Sequence, residues 1–554
     1  MRFNTIIMCF KYLYLLLCFL ALPLHAKELY FQHLDLNDGF TQPSAISIYQ
    51  DDRGYIWFGN DNFNVYDGRT IRSFRLSTYL DEVEDNNIHA ICGDGKSFIY
   101  MLVNRQLVTY DIQTEVFQST TVQAHAIAYH DNALYYSSGS KFYRYNPDKD
   151  SELICSLPDS TVTIRYLHLS DSGWLLGTTK GVYRYANGSF DIMLENESIS
   201  YLFTDDCKRL WAGTGSNGAS VLENGRWLSF REDNPGHPLI NNQVRCINQD
   251  AKGNIWIGTF GGITVVSPSL DHCSHFSHQE QEPWSLQHSS VYAICRDSQG
   301  GMWVGTYYGG LSYFNPDTEN YTYYGISPSN PNGLNGFLFG KMTEDNDGHL
   351  YIATEHGGLN CMNRKTGQII HFDSGSPRIP CRTTKSVWYD DKTDRLYIGT
   401  FQHGLLCYSA GRFEQVGQQV LKEDHQQIVT DLIPWKGRLI VVSQGGLYLL
   451  DLVTQELSPL FSDSELHQRT AVTIRAAYLD VEDRLWLAPA NKEVICIRMD
   501  TREEENIPSI KGMIGKKIVQ SITGDGKRNL YFMVTGVGVL QYEPASDFWA
   551  CFHQ

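Results

Sequence analysis

The sequence of 554 residues predicts an all-β fold: tandem β-propellers with about twelve four-stranded antiparallel blades, arranged as seven plus five. Three observations lead to this prediction. A short motif with a central aromatic residue recurs about every 43 residues along the chain. Each repeat holds four strand-like runs separated by turns that contain Asp and Gly. The composition is 42% hydrophobic and 13% aromatic, which supplies the apolar surface that a large folded protein must bury.

The repeated motif reads approximately D-x-x-G-x-x-W-x-G-T in its clearest copies, which run from Tyr49 to Gly59, from Asn248 to Thr259 and from Cys295 to Thr306. The glycine two residues after the anchor, as at Gly258 and Gly305, would let neighbouring strands approach closely. We interpret anchor and glycine as structural. The twelve anchors are Trp57, Tyr100, Tyr135, Leu175, Trp211, Trp256, Trp303, Tyr351, Tyr397, Ile440, Trp486 and Tyr531.

The seventh copy illustrates the strands of one repeat. Val291–Arg296 is the first, Met302–Thr306 the second, Leu311–Phe314 the third, and Tyr321–Tyr324 is expected to be the fourth. Four short strands in about 40–45 residues are typical of a propeller blade. Because one blade cannot bury both of its faces, each blade must stack against its neighbours.

Twelve blades exceed the four to eight of a usual single ring. The stretch Ser327–Gly333 is the connector richest in Pro, Asn and Gly, and it follows the seventh copy. We therefore expect a seven-bladed propeller over residues 27–327 and a second, apparently incomplete propeller of five blades over residues 328–554. Two six-bladed rings are the alternative.

Residues 1–26 have the order of a secretory signal peptide: basic residues, the apolar run Tyr12–Leu24, and a small-residue site at Ala26. The apolar run is shorter than the roughly 20 residues that a membrane span requires. The sequence thus predicts export to the periplasm with cleavage after Ala26. The eleven cysteines that follow are odd in number and lack zinc-site spacing, so we expect buried small side chains rather than a disulfide framework.

The formal net charge of −17 leaves no basic footprint for nucleic acid, which is not an expected partner. Motifs of zinc proteases, serine hydrolases and complete P-loops are missing from the sequence. The acidic pairs Asp51-Asp52, Asp205-Asp206 and Asp390-Asp391 recur at the same turn, which favours loop caps over an acid–base pair. We expect no catalytic residue, no metal site and no cofactor.

The segment from Pro283 to Leu311 closely resembles the two-component regulator propeller repeat, and Phe31–Thr41 with Val65–Gly68 resembles the usual first repeat of that family. The resemblance extends from about residue 30 to 552. It implies the periplasmic sensor region of a hybrid two-component regulator, whose members often control polysaccharide-use genes through a phosphorelay.

On this resemblance, the chain is expected to bind oligosaccharides and pass the signal to a kinase that it does not itself contain. The same resemblance implies a homodimer, with membrane attachment only through a C-terminal anchor outside this chain. Two alternatives stay open: a freestanding exported propeller that binds glycans or acts as a scaffold, and a propeller-type polysaccharide lyase or hydrolase.

In a propeller, the loops that enter the first strand and those that join the second and third strands meet on one face. Here these loops are rich in aromatic and histidine side chains, which suit the stacking and hydrogen bonding of sugars. Packing against the next blade, or docking of one ring on the other, is the alternative use. Arg165, Arg245 and Arg475 align at the start of the first strand, towards the channel mouth. The candidate ligand-binding residues are Arg245, Phe260, Trp284, His288, Tyr307, Tyr308, His356, Phe401 and His403.

Overall fold

The computed structural model describes residues 29–40, 42–59, 61–80, 87–317, 324–326, 332–373, 377–461, 465–490 and 492–552. The predicted signal peptide, residues 1–26, lies outside the described residues. Most of the expected connector over 327–333 also lies outside them. Within the described ranges, no helix is both long and apolar enough to cross a bilayer.

Twelve four-stranded antiparallel sheets make up the fold, which confirms the predicted class of tandem β-propellers. The chain divides between residues 322 and 323 into two compact units, slightly before the expected boundary at 327. Among the described residues, the first unit contains seven sheets and the second contains five.

The strands of the first unit are β1 (Phe31–Leu34), β2 (Ser47–Gln50), β3 (Ile56–Gly59), β4 (Phe63–Tyr66), β5 (Ile71–Phe74), β6 (Ile88–Gly93), β7 (Phe98–Val103), β8 (Gln106–Asp111), β9 (Val116–Gln123), β10 (Ala126–His130), β11 (Ala133–Ser138), β12 (Lys141–Arg144), β13 (Glu152–Ser156), β14 (Ile164–Ser170), β15 (Gly173–Thr178), β16 (Gly181–Ala186), β17 (Ser189–Glu195), β18 (Ile199–Thr204), β19 (Leu210–Thr214), β20 (Ala219–Glu223), β21 (Arg226–Phe230), β22 (Val244–Gln249), β23 (Ile255–Thr259), β24 (Gly262–Val266), β25 (Cys273–Phe276), β26 (Val291–Arg296), β27 (Met302–Thr306) and β28 (Leu311–Phe314). Short 3-10 turns lie at Leu36–Asp38 and Leu76–Thr78.

The strands of the second unit are β29 (Phe339–Glu344), β30 (His349–Thr354), β31 (Gly358–Asn363), β32 (Ile369–His371), β33 (Thr384–Asp390), β34 (Arg395–Thr400), β35 (Leu405–Ser409), β36 (Arg412–Val416), β37 (Val429–Trp435), β38 (Arg438–Ser443), β39 (Gly446–Asp451), β40 (Leu457–Pro459), β41 (Ile474–Leu479), β42 (Arg484–Pro489), β43 (Ile495–Arg498), β44 (Glu503–Glu504), β45 (Val519–Gly524), β46 (Leu530–Val534), β47 (Gly538–Glu543) and β48 (Phe548–Phe552). Two short helices are at Glu465–Thr470 and Pro508–Met513.

The first unit is a closed ring. Its first strands pack side by side in chain order, from β2 through β6 to β26, and β26 packs against β2 again. The seventh sheet takes its outer strand from β1, with Phe31 paired to Phe314 and Leu34 to Leu311. The predicted fourth strand at Tyr321–Tyr324 lies mostly outside the described residues, and β1 occupies that edge of the seventh sheet.

All twelve predicted anchors lie in the second strands of the twelve sheets. Trp256 shows their role, since it is buried between the sixth and seventh sheets against Val291 and Phe314. Asp250 Oδ2 accepts the Trp256 indole N–H at 3.0 Å, while its Oδ1 accepts the backbone N–H of Asn254. The same pairing of turn aspartate and tryptophan recurs at Asp51, Asp205, Asp297 and Asp480. These carboxylates are loop caps, as predicted, and hold the anchor in the core.

Close approach between sheets explains the glycine after the anchor. A Cβ at Gly258 would lie 2.4 Å from Cys246 Sγ and 2.7 Å from Val291 Cγ1, so the strand has no room for a side chain. Cys246 is itself buried at this contact. None of the eleven cysteines of the described residues forms a disulfide bond, and all but the exposed Cys207 are buried or half-buried, which confirms the expectation for most of them.

Candidate functional site

A β-bulge aims one side chain of the first strand of most blades out of the sheet. In the first unit the strand register shifts in five sheets, each time at the second residue of the first strand. An unpaired bulge residue re-aims its side chain without breaking the sheet. We call the side of the ring where the first strands begin the upper face, and the other side the lower face. The bulge residues at the upper face are His89, Arg165, Ser200, Arg245 and Tyr292.

Arg245 sits at the centre of this arrangement. Its guanidinium carbon lies 3.8 Å from the ring centre of Tyr292 and 5.3 Å from that of Phe260. Its Nη1 donates a hydrogen bond to Ser290 Oγ at 2.7 Å. The cation is thus sandwiched by aromatic rings, which orient it by cation–π attraction.

The loop between β27 and β28 presents two adjacent tyrosines. The buried Thr306 donates its hydroxyl to the carbonyl of Gly310, which braces the base of the loop. Tyr308 has a φ of +62°, in the left-handed region that bulky residues rarely adopt, and its N–H donates to Ser44 Oγ at 3.2 Å. The loop therefore holds an exposed ring in a fixed and unusual direction, as is common at functional sites.

Tyr307 connects this loop to Arg245. Its ring lies 4.3 Å from Tyr308, 5.9 Å from Tyr292 and 6.4 Å from the imidazole of His288, measured between ring centres. The hydrogen bond with the Tyr308 hydroxyl raises the pKa of Tyr307, and the negative charge of Asp61 adds to this shift. We call the contiguous surface formed by these side chains the aromatic cluster. Its members are Arg245, Phe260, His288, Tyr292, Tyr307 and Tyr308.

Trp284, another candidate, is placed differently. It packs against Tyr30, with 5.9 Å between ring centres, and its carbonyl accepts the N–H of Phe31. Trp284 thus supports the strand that closes the ring.

The remaining candidates, His356, Phe401 and His403, belong to the second unit. Lys385, at a bulge of β33, lies 5.7 Å from the ring centre of Phe401 and forms an ion pair with Glu355. His356 has a φ of +65°, which matches the conformation of Tyr308 at the same position of its loop. The three candidates therefore occupy loops equivalent to those of the aromatic cluster, with His356 in the first sheet of the second unit and both Phe401 and His403 in the next.

Sequence reasoning missed Tyr292, Ser290 and Asp61. Tyr292 occupies the bulge position that Arg245 occupies one sheet earlier, so the alignment that revealed the arginines could have found it. Ser290 and Asp61 carry no signal in the repeat, because each is a single polar residue in a variable loop.

The side chains of the aromatic cluster are suited to binding a ligand by stacking and hydrogen bonding. Exposed rings offer flat apolar surfaces, the guanidinium offers several donors, and the hydroxyls of Tyr307 and Tyr308 both donate and accept. Across the described ranges, no group of three or more His, Cys, Asp or Glu side chains could hold a metal ion.

Comparison with known proteins identifies the repeats. The family described as two component regulator propeller matches residues 39–62, 238–261 and 285–308, which confirms the predicted resemblance. No curated protein sequence matches the chain significantly.

Two similar solved structures are extracellular domains of regulatory systems. The extracellular domain of the hybrid two component system BT3049 from B. thetaiotaomicron is similar over 95% of this chain and 73% of that one, with 17% identity and a TM-score of 0.61. The extracellular domain of BT4673 from the same organism is 18% identical over 95% of this chain and 74% of its own, with a TM-score of 0.44. The chain thus contains three segments that match the two-component regulator propeller repeat, and it shares its fold with the first of these domains.

Proposed function

We propose that this chain is the exported ligand-sensing region of a hybrid two-component regulator and that it binds an oligosaccharide on the upper face of the first unit. The observation that carries the proposal is the aromatic cluster. In it the Arg245 guanidinium contacts the rings of Phe260 and Tyr292, and the exposed rings of Tyr307 and Tyr308 extend the surface from Tyr292. Sugar rings stack on such surfaces through their CH faces and hydrogen-bond through their hydroxyls. The family repeats and the fold shared with an extracellular domain support export and sensing.

Transmission of the signal is the second part of the proposal. A ligand can shift a conformational equilibrium only if it binds the two states with different affinity. A closed ring of stacked sheets is stiff, so we expect it to transmit such a change as one rigid body. The proposal includes a homodimer and a kinase outside this chain. Sedimentation velocity with and without ligand tests the dimer, and a membrane helix followed by kinase motifs in the coding sequence after residue 554 tests the kinase.

The binding site is tested by Tyr307→Ala against a matched control. Calorimetry of the exported chain is run with three hexasaccharides: neutral neoagarohexaose, an oligogalacturonate and a sulfated κ-carrageenan fragment. Loss of one stacking ring should weaken the best binder about five- to tenfold without lowering Tm. Phe98 is the control, because it is also 40% exposed but lies on the lower face of the same unit, and Phe98→Ala should leave binding unchanged. Equal affinities of both variants and the parent would refute the site.

A further inference from the structure

We infer that the ligand of the upper face is an acidic oligosaccharide, whose carboxylate or sulfate groups bind two cationic positions on the first unit. One position is Arg245 in the aromatic cluster. The other is formed by Arg105, His125 and Arg165 on the second, third and fourth sheets. The inference rests on the proposed function, since it specifies the class of sugar that this face would bind.

Arg245 is a half-buried cation whose recorded contacts are all neutral. They are the rings of Tyr292 and Phe260 and the hydroxyl of Ser290, and no carboxylate among the described residues forms an ion pair with it. Burial lowers the pKa of the guanidinium, which shows that its environment disfavours the charge. A guanidinium has five N–H donors, so most of the Arg245 donors are available to an incoming anion.

The second position brings two arginines to one histidine. Arg105, on the turn between β7 and β8, directs its guanidinium at His125 Nε2, and the N–H of Gly139 donates to His125 Nδ1 at 3.1 Å. A neutral imidazole accepts at only one nitrogen, so its two ring nitrogens cannot satisfy both donors. Burial, Arg105 and Arg165 together lower the pKa of His125, which keeps the ring neutral.

An oxyanion would resolve this mismatch. It could accept from Arg105 and from the exposed Arg165 together, because both guanidinium groups act on the same imidazole and neither forms an ion pair with a described carboxylate. The planar guanidinium matches carboxylate and sulfate oxygens in a bidentate fashion.

Other arginines of the first unit behave differently. Arg72 pairs with Glu115, Arg184 with Asp191, and Arg209 with Asp205. In a chain of net charge −17, Arg105, Arg165 and Arg245 place three positive charges on the upper face without an ion pair among the described residues. Such a patch would attract an anion that the rest of the surface repels.

The neighbouring rings indicate that the anion belongs to a sugar. Phe260 and Tyr307 lie in the same cluster as Arg245 and can stack a pyranose while the guanidinium holds its acidic group. Asp61 lies outside the aromatic cluster, but its negative charge acts on Tyr307, so a neutral part of the ligand would have to face it.

Calorimetry with the three hexasaccharides named above tests the inference on the parent chain, Arg165→Gln, Arg245→Gln and Arg226→Gln. Arg226 is the matched control, because it is an exposed arginine at the start of β21 on the lower face. We expect oligogalacturonate or the carrageenan fragment to bind, with Kd rising about tenfold in either upper-face variant and less than twofold in Arg226→Gln. Binding should also weaken between 50 and 500 mM NaCl.

Each outcome of the calorimetry supports or contradicts the inference. Binding of oligogalacturonate alone identifies a carboxylate, binding of the carrageenan fragment alone identifies a sulfate, and both support the inference. If neoagarohexaose binds as tightly as the acidic sugars, or if the upper-face variants bind acidic sugars unchanged, the inference is wrong while the proposed oligosaccharide function stands. If none of the three probes binds at millimolar concentration, the inference and the proposed function both fail.

Discussion

The two units treat the ends of their sheet arrays differently. In the first unit β1 completes the seventh sheet, and Trp303 of that sheet packs against Phe40 and Phe58 around the first sheet. In the second unit Phe339 of the first sheet and Met533 of the last sheet are exposed apolar side chains. The repeats by themselves therefore form the individual sheets. In the first unit an additional strand, β1, which is not part of the repeat pattern, buries the first and last sheets.

Removing the contact by which Phe31 closes the ring of the first unit should cause the largest loss of stability. Phe31 is 5% exposed and packs against Trp256 and Phe314, whereas Phe552, on the outer strand of the last sheet of the second unit, is 55% exposed. Phe31→Ala should lower the free energy of unfolding by about 3–5 kcal/mol, because it leaves a cavity at the closure. Phe552→Ala should change it by less than about 0.5 kcal/mol. Urea unfolding followed by tryptophan fluorescence measures both, and similar losses would show that β1 does not close the ring in solution.

Acidification should change the free energies of unfolding of the two units differently, by a smaller amount than the loss expected for Phe31→Ala. Burial lowers the pKa of His168 to about 4, and its Nε2 hydrogen-bonds Thr204 Oγ1. The unfolded chain therefore takes up this proton first as pH falls, and the first unit loses stability between about pH 6.5 and pH 4. In the second unit burial raises the pKa of Asp431, despite its ion pair with Lys341, so this carboxyl favours the folded state on acidification.

Calorimetric unfolding at pH 7, 5.5 and 4.5 checks this contrast. Because of His168, the free energy of unfolding of the first unit should fall by about 2 kcal/mol over this range. His168→Gln should flatten this pH dependence. His425→Gln, at an exposed histidine of the second unit, is the control and should leave the profile unchanged. An unaltered slope in His168→Gln would contradict the assignment.

The fold was largely predictable because its determinants are local and repeated. Each anchor such as Trp256, its turn aspartate and its glycine recur in one short segment, so the sequence pattern identifies every second strand. The pairing of Phe31 with Phe314 was not predictable in this way, because it joins opposite ends of the ring and repeats nowhere else. The sequence pattern therefore placed the outer strand of the seventh sheet at Tyr321–Tyr324 and did not identify β1 in that position.

The candidate site was predictable in part. Loop position in the repeat brought Arg245, Phe260 and Tyr307 to one face, since equivalent loops of neighbouring blades must converge. Trp284 shares that loop position, but its ring packs at the outer edge against Tyr30, and only the path of β1 decides this. Bulges in the first strands were also invisible in the sequence, although they direct Arg245 and Tyr292 towards each other.

Hydrogen–deuterium exchange of the full chain, with and without the tightest-binding of the three hexasaccharides, tests the central claim most directly. If the upper face of the first unit binds the sugar, exchange should slow in residues 257–262, 286–292 and 304–310, which carry all members of the aromatic cluster except Arg245. The lower-face turn at 224–226 should exchange at the same rate in both samples. Slower exchange at that turn, or only in the second unit, with the three upper-face segments unchanged, would contradict the account.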